Sequence, residues 1–276
     1  MIRREVEIVV ISDVHLGTYA CHSQELLQYL RSIRPRILVL NGDIIDAWHF
    51  RRSFFSNEHL AIIEYILKLS SEGTKVYYLS GNHDDIVRGY SPIVDGNIIL
   101  RNHLEFVIDQ KRYWIFHGDI FDTSVRIAPW LAKMGLKSYK YLVRFNRLVD
   151  KMRKYLGLPP ISLAQKVKHK VRKAIKYISD FENIVAKHAE KKDFDVVICG
   201  HIHVPAIKKM NDGKVTYMNA GDWIENLTAL EYQHRRWKIH HYDPADYPPI
   251  SKRLQVPLIS MRSDRDLRST LSWESA

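Results

Sequence analysis

The chain has 276 residues, 46% of them apolar and 26% charged, and carries a formal net charge of +11. This length and composition are ordinary for a globular protein with one large domain, or one domain with a sizeable insertion, and they exclude a minimal domain. The basic excess favours an anionic partner, namely nucleic acid, an anionic membrane or a phosphorylated substrate.

Cysteine usage and the N-terminal pattern indicate a reduced setting. The two cysteines, Cys21 and Cys199, are too few for disulfide bonds to stabilise a chain of this length. Glu5 and Glu7 interrupt the first apolar stretch, which therefore predicts a strand rather than a signal peptide. No apolar run approaches the roughly 20 residues that span a bilayer. We expect a cytoplasmic protein whose membrane contact, if any, is peripheral, on the inner face of the cytoplasmic membrane.

Five short apolar segments have the length and the β-branched or aromatic content of buried strands, and a turn follows each of them. Between the first three lie two segments of helical periodicity, residues 24–33 and 57–71. Strands that alternate with helices predict an α/β fold. The five apolar segments are residues 6–11, 37–40, 76–79, 113–116 and 196–199.

Four further strand patterns occur without helices between them. Such a run favours an antiparallel portion or a second sheet beside the first. These segments are residues 104–108, 214–218, 228–232 and 236–241.

Residues 124–192 interrupt the strand pattern, because helical periodicity replaces it there. Within this region, residues 126–192 contain 18 Lys and Arg but 4 Asp and Glu, an excess of +14. The sequence therefore predicts a main domain over residues 1–243 that a basic helical insertion interrupts. Residues 244–276 contain four of the ten prolines and mixed charge, and they are predicted to form a peripheral C-terminal tail.

A polar cluster follows each of the five apolar segments. The clusters are, in chain order, SDVH, NGD, SGNHDD, HGD and GHIH. Because the carboxyl ends of neighbouring parallel strands meet at one edge of a sheet, where ligands bind, we expect these clusters to converge. Eight side chains would then meet there: Asp13, His15, Asp43, Asn82, His83, His117, His201 and His203.

The residue types of this set indicate a metal site. Residues i and i+2 of an extended chain point to the same side, which would pair Asp13 with His15 and His201 with His203. Imidazole, carboxylate and amide ligands without a thiolate favour Mn, Fe or Zn. Seven such ligands are too many for one tetrahedral ion, but they suit two ions roughly 3.5–4 Å apart that share a bridging carboxylate.

The five clusters, in this order, resemble the ordered motifs of the calcineurin-like metallophosphoesterases: DVH, GD, GNHD, HGD and GHIH. The resemblance covers roughly residues 5–235 and implies a two-sheet α/β/β/α sandwich that binds two divalent metal ions. It also implies the ligands of each ion. One ion would be held by Asp13, His15, Asp43 and His203, and the other by the bridging Asp43 with Asn82, His117 and His201.

A narrower resemblance concerns the substrate. The segments GDIIDAWHF, HGDIFD and NAGDWIENLTALEY, together with the basic insertion, look like the branch of UDP-2,3-diacylglucosamine diphosphatases. That branch cleaves a diphosphate in lipid A synthesis, releases UMP and a phosphorylated diacyl glucosamine, and usually uses manganese. The chain departs from its best-known members at His83, where they carry Arg, and follows the wider superfamily instead. This departure leaves the predicted metal ligands unchanged, and it concerns which substrate the protein cleaves.

The resemblance also suggests a mechanism. A hydroxide that bridges the two ions would attack phosphorus in line, so positioning and electrostatics dominate the protein's contribution. His83 would donate a proton to the leaving oxygen or stabilise charge on a non-bridging oxygen. Asp84, the next residue, would orient the His83 imidazole. Asp46 and Asp119 would accept hydrogen bonds from ligand imidazoles, or alternatively cap helices or turns.

The insertion combines an aromatic and aliphatic stripe with a strongly basic face. This combination suits an interfacial helix on anionic lipid, and it also suits a groove for acyl chains with basic residues over the diphosphate. We therefore expect an anionic phosphorylated lipid or nucleotide-lipid substrate. The residues predicted to contact it are Lys166, Lys170, Lys173, Trp130 and Phe145.

Two alternatives stay open at this point. A phosphodiesterase or nuclease of the same superfamily would use the basic face along a phosphate backbone, although no aromatic-plus-glycine RNA-binding motif occurs. A non-catalytic scaffold would carry a degenerate site, whereas all seven ligand positions are filled. The sequence therefore favours a metal-dependent hydrolase, with a lipid diphosphate rather than nucleic acid as its substrate.

Overall fold

The computed structural model describes residues 3–48, 55–121 and 163–249, and the side chains of the last range from residue 173 onward. The helices of this part of the chain are α1 (Ser23–Ser32), α2 (Asn57–Ser71) and α3 (Leu163–Lys191). The strands are β1 (Arg4–Ile11), β2 (Ile33–Asn41), β3 (Lys75–Leu79), β4 (Ile93–Asp95), β5 (Ile98–Arg101), β6 (Leu104–Ile108), β7 (Lys111–Ile115), β8 (Val196–Cys199), β9 (Ala206–Met210), β10 (Val215–Asn219), β11 (Thr228–Gln233) and β12 (Arg236–His241).

The strands form two mixed sheets. The first has the order β12-β11-β1-β2-β3-β5-β4 and the second has the order β6-β7-β8-β10-β9. In the first sheet β1, β2, β3 and β5 run parallel, and in the second β7, β8 and β10 do. The remaining pairs are antiparallel. Each sheet therefore presents a group of carboxyl-terminal strand ends at one edge.

Apolar side chains join the layers in the order helix, sheet, sheet, helix. Between the sheets lie buried residues of both, such as Val39 and Ile198. On the outer face of the first sheet, α1 and α2 bury a stripe that includes Leu30 and Ile62. On the outer face of the second, α3 buries Phe181 and its neighbours. Each such side chain contributes about 1.5–3 kcal/mol through removal from water.

The predicted two-sheet α/β/β/α fold is confirmed, and the predicted strands and helices lie within two residues of the observed bounds at most ends. The strands that the sequence did not predict include β4 and β9, which are short or polar. β4 exposes Ile93 and Val94 at the edge of the first sheet. β9 is an edge strand that carries Lys208 and Lys209, so it lacks an apolar pattern. Pairing with a neighbouring strand, rather than local sequence, forms such edge strands.

The division into a main domain, an insertion at 124–192 and a tail at 244–276 stays a prediction, because residues 122–162 and 250–276 lie outside the described residues. The described part of the insertion is α3, which packs on the second sheet. Among the described residues, no helix has both the length and the apolar character required to cross a membrane.

Candidate metal centre

The carboxyl ends of β1, β2, β3, β7 and β8 meet at one edge of the two sheets. Each of these five strands is followed by one of the polar clusters. Hydrogen bonds join the clusters to each other: the Asp13 N–H donates to the Gly42 carbonyl at 3.1 Å, and the Gly200 N–H donates to the His117 carbonyl at 2.8 Å. The structure therefore brings together clusters that are far apart in the sequence.

The backbone of the site is strained rather than extended. Asp13, His15, Asp43, His201 and His203 all have positive φ, between 53° and 66°. The premise of an extended chain is therefore wrong, because these residues have left-handed backbone beyond the strand ends. Asp13 and His15 nevertheless share a group of ligand atoms, whereas His201 and His203 belong to different groups. Such conformations cost of order 1–3 kcal/mol each and cluster at functional sites.

One group of ligand atoms involves Asp13, His15 and His203, whose ligating atoms all lie within 4.8 Å of one another. His203 Nε2 lies 3.1 Å from Asp13 Oδ1. Asp43 adjoins this group, since its Oδ2 lies 3.8 Å from His15 Nε2. These are the four residues predicted for the first ion.

A second group contains Asp43, His117 and His201, again within 4.8 Å. His117 Nε2 lies 3.3 Å from Asp43 Oδ2. The other ring nitrogen of His117 donates to the Asn41 carbonyl at 2.9 Å, so Nε2 is the ring nitrogen that faces the site. Asp43 also forms a third group of this kind with His15 and His83, so its carboxylate lies between two sets of imidazoles.

Buried polar atoms without hydrogen-bond partners test whether these residues suit a metal. Within the described residues, four such atoms belong to the predicted ligands: Asp13 Oδ1, His15 Nε2, Asn82 Oδ1 and His117 Nε2. Buried polar atoms are almost always paired, because an unpaired one loses its hydration without compensation. Each of the four can donate a lone pair, so the donor set fits divalent metal ions.

The electrostatics of the site also suit cations. Burial opposes ionisation of Asp13, but the imidazoles of His203 and His117 outweigh it and hold the pKa of this carboxyl below its usual range. Burial also opposes ionisation of Asp43, but His117 outweighs burial and lowers the pKa of Asp43 to about 2. The two carboxylates in turn overcome burial and raise the pKa of His117 to about 10 and that of His203 to about 9. The field that holds protons on these imidazoles would equally attract metal ions, which displace such protons on binding.

His83 contacts a different carboxylate from the predicted one. Its Nδ1 lies 3.0 Å from Asp46 Oδ2, and the same oxygen lies 3.2 Å from His15 Nδ1. Burial lowers the pKa of His83, but Asp46 and Asp43 outweigh this effect and raise it. The buried Asp46 carboxylate therefore links a proposed ligand to the proposed proton donor.

Asp84, predicted to orient His83, instead anchors the loop. Its carboxylate accepts hydrogen bonds from the Gly81 N–H at 2.6 Å, the Ile44 N–H at 2.9 Å and the Tyr78 hydroxyl at 2.6 Å. These contacts correct the orienting role, because the carboxylate faces main-chain donors of two strand-end loops. Asp84 is 2% exposed, so its burial depends on these donors.

Other predicted site residues lie apart from this cluster or outside the described residues. Asp119, expected to contact a ligand imidazole, forms an ion pair of 2.7 Å with Arg88. Lys173 is exposed on α3. The side chains outside the described residues are those of Lys166, Lys170, Trp130 and Phe145.

One element of the site was not predicted. The loop after β10 contains Asp222, which is fully buried, and Asn226, which donates to the His203 carbonyl at 2.8 Å. The segment NAGDWIEN, residues 219–226, offered a sequence signal only through Asp222 and Asn226, whose residue types are common in ordinary turns.

Comparison with known proteins gives a match over most of the chain. The family profile described as Calcineurin-like phosphoesterase matches residues 6–205. This range includes all seven predicted ligands and His83.

Several curated relatives carry the same name. The UDP-2,3-diacylglucosamine hydrolase of Blochmanniella pennsylvanica (strain BPEN) is 25% identical over 222 residues, which cover 76% of this chain and 84% of that protein. The protein of the same name from Nitrosococcus oceani is 27% identical over 233 residues, which cover 80% of this chain and 88% of its own. Among solved structures, one described as a novel archaeal phosphodiesterase aligns with a TM-score of 0.40 and 13% identity, covering 85% of this chain and 98% of its own.

Proposed function

The chain belongs to the calcineurin-like phosphoesterase family and is a phosphoesterase hydrolase, and from this premise we propose that it is a dinuclear diphosphatase. Its substrate would be a UDP-diacylglucosamine-type lipid precursor, cleaved at the diphosphate during lipid A synthesis. The observation that carries the dinuclear centre is the position of Asp43, whose Oδ2 lies 3.8 Å from His15 Nε2 of one group of ligand atoms and 3.3 Å from His117 Nε2 of the other. The shared name of the curated relatives supports the substrate.

In this proposal Asp13, His15, Asp43 and His203 hold one ion, and Asp43, Asn82, His117 and His201 hold the other. Bound there, two divalent ions, manganese in our proposal, would lower the pKa of a water molecule and neutralise phosphoryl oxygens. The imidazole and carboxylate set is suited to Mn, Fe or Zn.

The protein's own contribution is to position charge and a proton. His83 Nδ1 faces Asp46, so its Nε2 is the ring nitrogen that can donate to the leaving oxygen of a substrate phosphate. Trp48 lies beside this imidazole, with ring centroids 5.7 Å apart, and is 56% exposed. The exposed indole therefore offers an apolar surface next to the proton donor.

Charge and apolar residues of the insertion support a lipid substrate. The excess of +14 in residues 126–192 would attract a diphosphate or an anionic membrane surface. We propose that Lys166, Lys170 and Lys173 contact the diphosphate, and that Trp130 and Phe145 contact acyl chains. The protein would then act in the cytoplasm, at the inner face of the cytoplasmic membrane.

A hydrolysis screen tests the substrate class. Purified protein with Mn²⁺ is assayed side by side on a UDP-diacylglucosamine lipid, its deacylated analogue, an ADP-ribose-like diphosphate, a cyclic nucleotide and single-stranded DNA. Each buried methylene contributes about 0.8 kcal/mol, so the lipid should have a far lower KM than its deacylated analogue. Asp43→Asn, which removes the shared carboxylate charge, serves as the inactive control.

The screen also separates the alternatives. Equal catalytic efficiency on the lipid and its deacylated analogue would contradict recognition of acyl chains. Preferential cleavage of DNA or a cyclic nucleotide would replace the diphosphatase proposal with a nuclease or phosphodiesterase. If Asp43→Asn folds normally but loses every activity, the measured hydrolysis takes place at this site.

A further inference from the structure

The loop between β10 and β11 contacts two proposed ligands, although it lies beyond the residues that the family profile matches. The Trp223 N–H donates to the Asp13 carbonyl at 3.1 Å. Asn226 Nδ2 donates to the His203 carbonyl at 2.8 Å. Both ligands have left-handed backbone, with φ of 53° and 54°. Since such conformations persist only where the surroundings restrain them, this loop restrains the main chain at both residues.

Asp222 organises the loop from within. It is fully buried, and its Oδ1 accepts hydrogen bonds from the main-chain N–H groups of Ile224 at 2.9 Å and Asn226 at 3.2 Å. Its Oδ2 accepts from the side-chain amide of Asn226. A buried carboxylate is tolerated when such donors surround it, and here they also fix the amide that reaches the His203 carbonyl.

The His203 imidazole lies between two carboxylates. Its Nε2 is 3.1 Å from Asp13 Oδ1, and its Nδ1 is 4.0 Å from Asp222 Oδ2. A carboxylate on the Nδ1 side favours the tautomer that carries its proton there, which leaves the Nε2 lone pair for a metal ion. Asp222 thus acts on the side of the ring that faces away from the proposed ion.

We propose that Asp222 and Asn226 are positioning residues for the ion held by Asp13 and His203. Asn226 fixes the main chain of His203, and Asp222 fixes Asn226 and places a negative charge on the Nδ1 side of the imidazole. The inference rests on the proposed function, since it assumes that these two ligands bind a metal ion. It adds a determinant of metal affinity from outside the matched family region.

The test is a titration of the metal-free, full-length protein with Mn²⁺ in competition with a chelating dye. Asp222→Asn keeps the volume and one oxygen acceptor of the side chain but removes its charge. Asn226→Ala removes the donor to His203 and provides a second variant if Asp222→Asn does not fold. Each should weaken binding of one Mn²⁺ by about 10–100-fold, the range for residues that support metal ligands, and leave the other unchanged.

Electron paramagnetic resonance measures the magnetic coupling of the two Mn²⁺ ions, which a loss of stability alone would not change. At two equivalents of Mn²⁺, wild type should give the spectrum of a coupled pair, whereas both variants should give that of an isolated ion. Glu231→Gln is the matched control, because Glu231 is also a fully buried carboxylate but contacts Arg4 and Lys238. It should lower the melting temperature without weakening either Mn²⁺ site.

The outcomes distinguish this inference from the proposed function. Wild type and both variants binding two Mn²⁺ with equal affinity would overturn the positioning role alone. Equal weakening of both ions in the variants and in Glu231→Gln would also overturn it, since general destabilisation would then explain the effect. A wild-type protein that binds no Mn²⁺ would overturn the proposed function together with the inference.

Discussion

Gly42 lies directly against the imidazole of His117. A Cβ atom at Gly42 would lie 2.5 Å from both Cγ and Nδ1 of that ring, and the φ of Gly42 is +76°. Only a residue without a side chain therefore allows His117 to lie against β2 and to donate to the Asn41 carbonyl.

Gly42→Ala should displace His117 and disturb the second group of ligands. We expect weaker binding of one Mn²⁺ and a free energy of unfolding lower by about 1–3 kcal/mol, because the new methyl group adds a clash to left-handed strain. Gly73→Ala is the control: its φ is +101°, but a Cβ there meets nothing within 4 Å. It should cost stability without affecting metal binding. Equal effects on metal binding in both variants would contradict the role of Gly42.

His83→Ala should lower kcat by about 10²–10⁴-fold, the range for a lost proton donor, while both metal ions stay bound. Elemental analysis beside steady-state kinetics measures this. His103→Ala, an exposed histidine paired with Glu105, is the control and should behave as wild type. Loss of an ion in His83→Ala would instead make His83 a ligand, in line with its position near His15 and Asp43.

Asp46→Asn should affect both metal binding and turnover, because Asp46 Oδ2 contacts both His15 and His83. We expect about 10–100-fold weaker binding of the ion at His15 and a lower kcat. A double-mutant cycle with His83→Ala measures the coupling, which should be far from additive since the two residues are in contact. Asp85→Asn, an exposed carboxylate on the same loop as His83, is the control. Strict additivity in the cycle would show that Asp46 does not act through His83.

Asp84→Asn should lower the free energy of unfolding but change kcat little. The variant replaces an acceptor of three hydrogen bonds by a side chain with a donor, which should lower the free energy of unfolding by about 1–3 kcal/mol. Tyr78→Phe, which removes one of the three donors, should lower it less. Urea unfolding measures both variants. A fall in kcat as large as that of His83→Ala, with unchanged stability, would restore a direct role of Asp84 in the reaction.

Glu231 should make the stability of the fold depend on pH. Burial opposes its ionisation, but hydrogen bonds from Arg4 and Lys238 outweigh burial and lower the pKa of Glu231 to about 2, below the unfolded value of about 4.3. The stabilisation is therefore complete above about pH 5 and is lost as the pH falls through 4 towards 2.

Glu231→Gln should accordingly lower the free energy of unfolding by about 1.5–3 kcal/mol at pH 7 and by much less near pH 2.5. Urea titrations at the two pH values measure the difference. Glu5→Gln is the control, since the Glu5–Arg34 pair is exposed and such pairs contribute about 0–1 kcal/mol. A pH-independent effect of Glu231→Gln would contradict the lowered pKa.

Local sequence determined most of the elements and the candidate ligands of this protein. Apolar segments of strand length, such as residues 196–199, were buried because no other arrangement removes their side chains from water. The polar clusters followed strand ends, and parallel strands bring such ends together. Those two facts were sufficient to select Asp13, His15, Asp43 and the histidines that follow later strands.

Only the tertiary structure decided which side chains face each other. Asp84 adjoins His83 in the chain, yet Asp46, which lies 37 positions earlier, contacts its ring. The parallel pairing of β1 with β2 continues past both strand ends and sets Asp46 beside His15. The loop that carries Asp222 and Asn226 reaches His203 because β10 pairs with β8 and ends beside it. Such contacts depend on the order and register of strands that are far apart in the chain, which are decided when the strands bury their apolar faces in the assembled sheets.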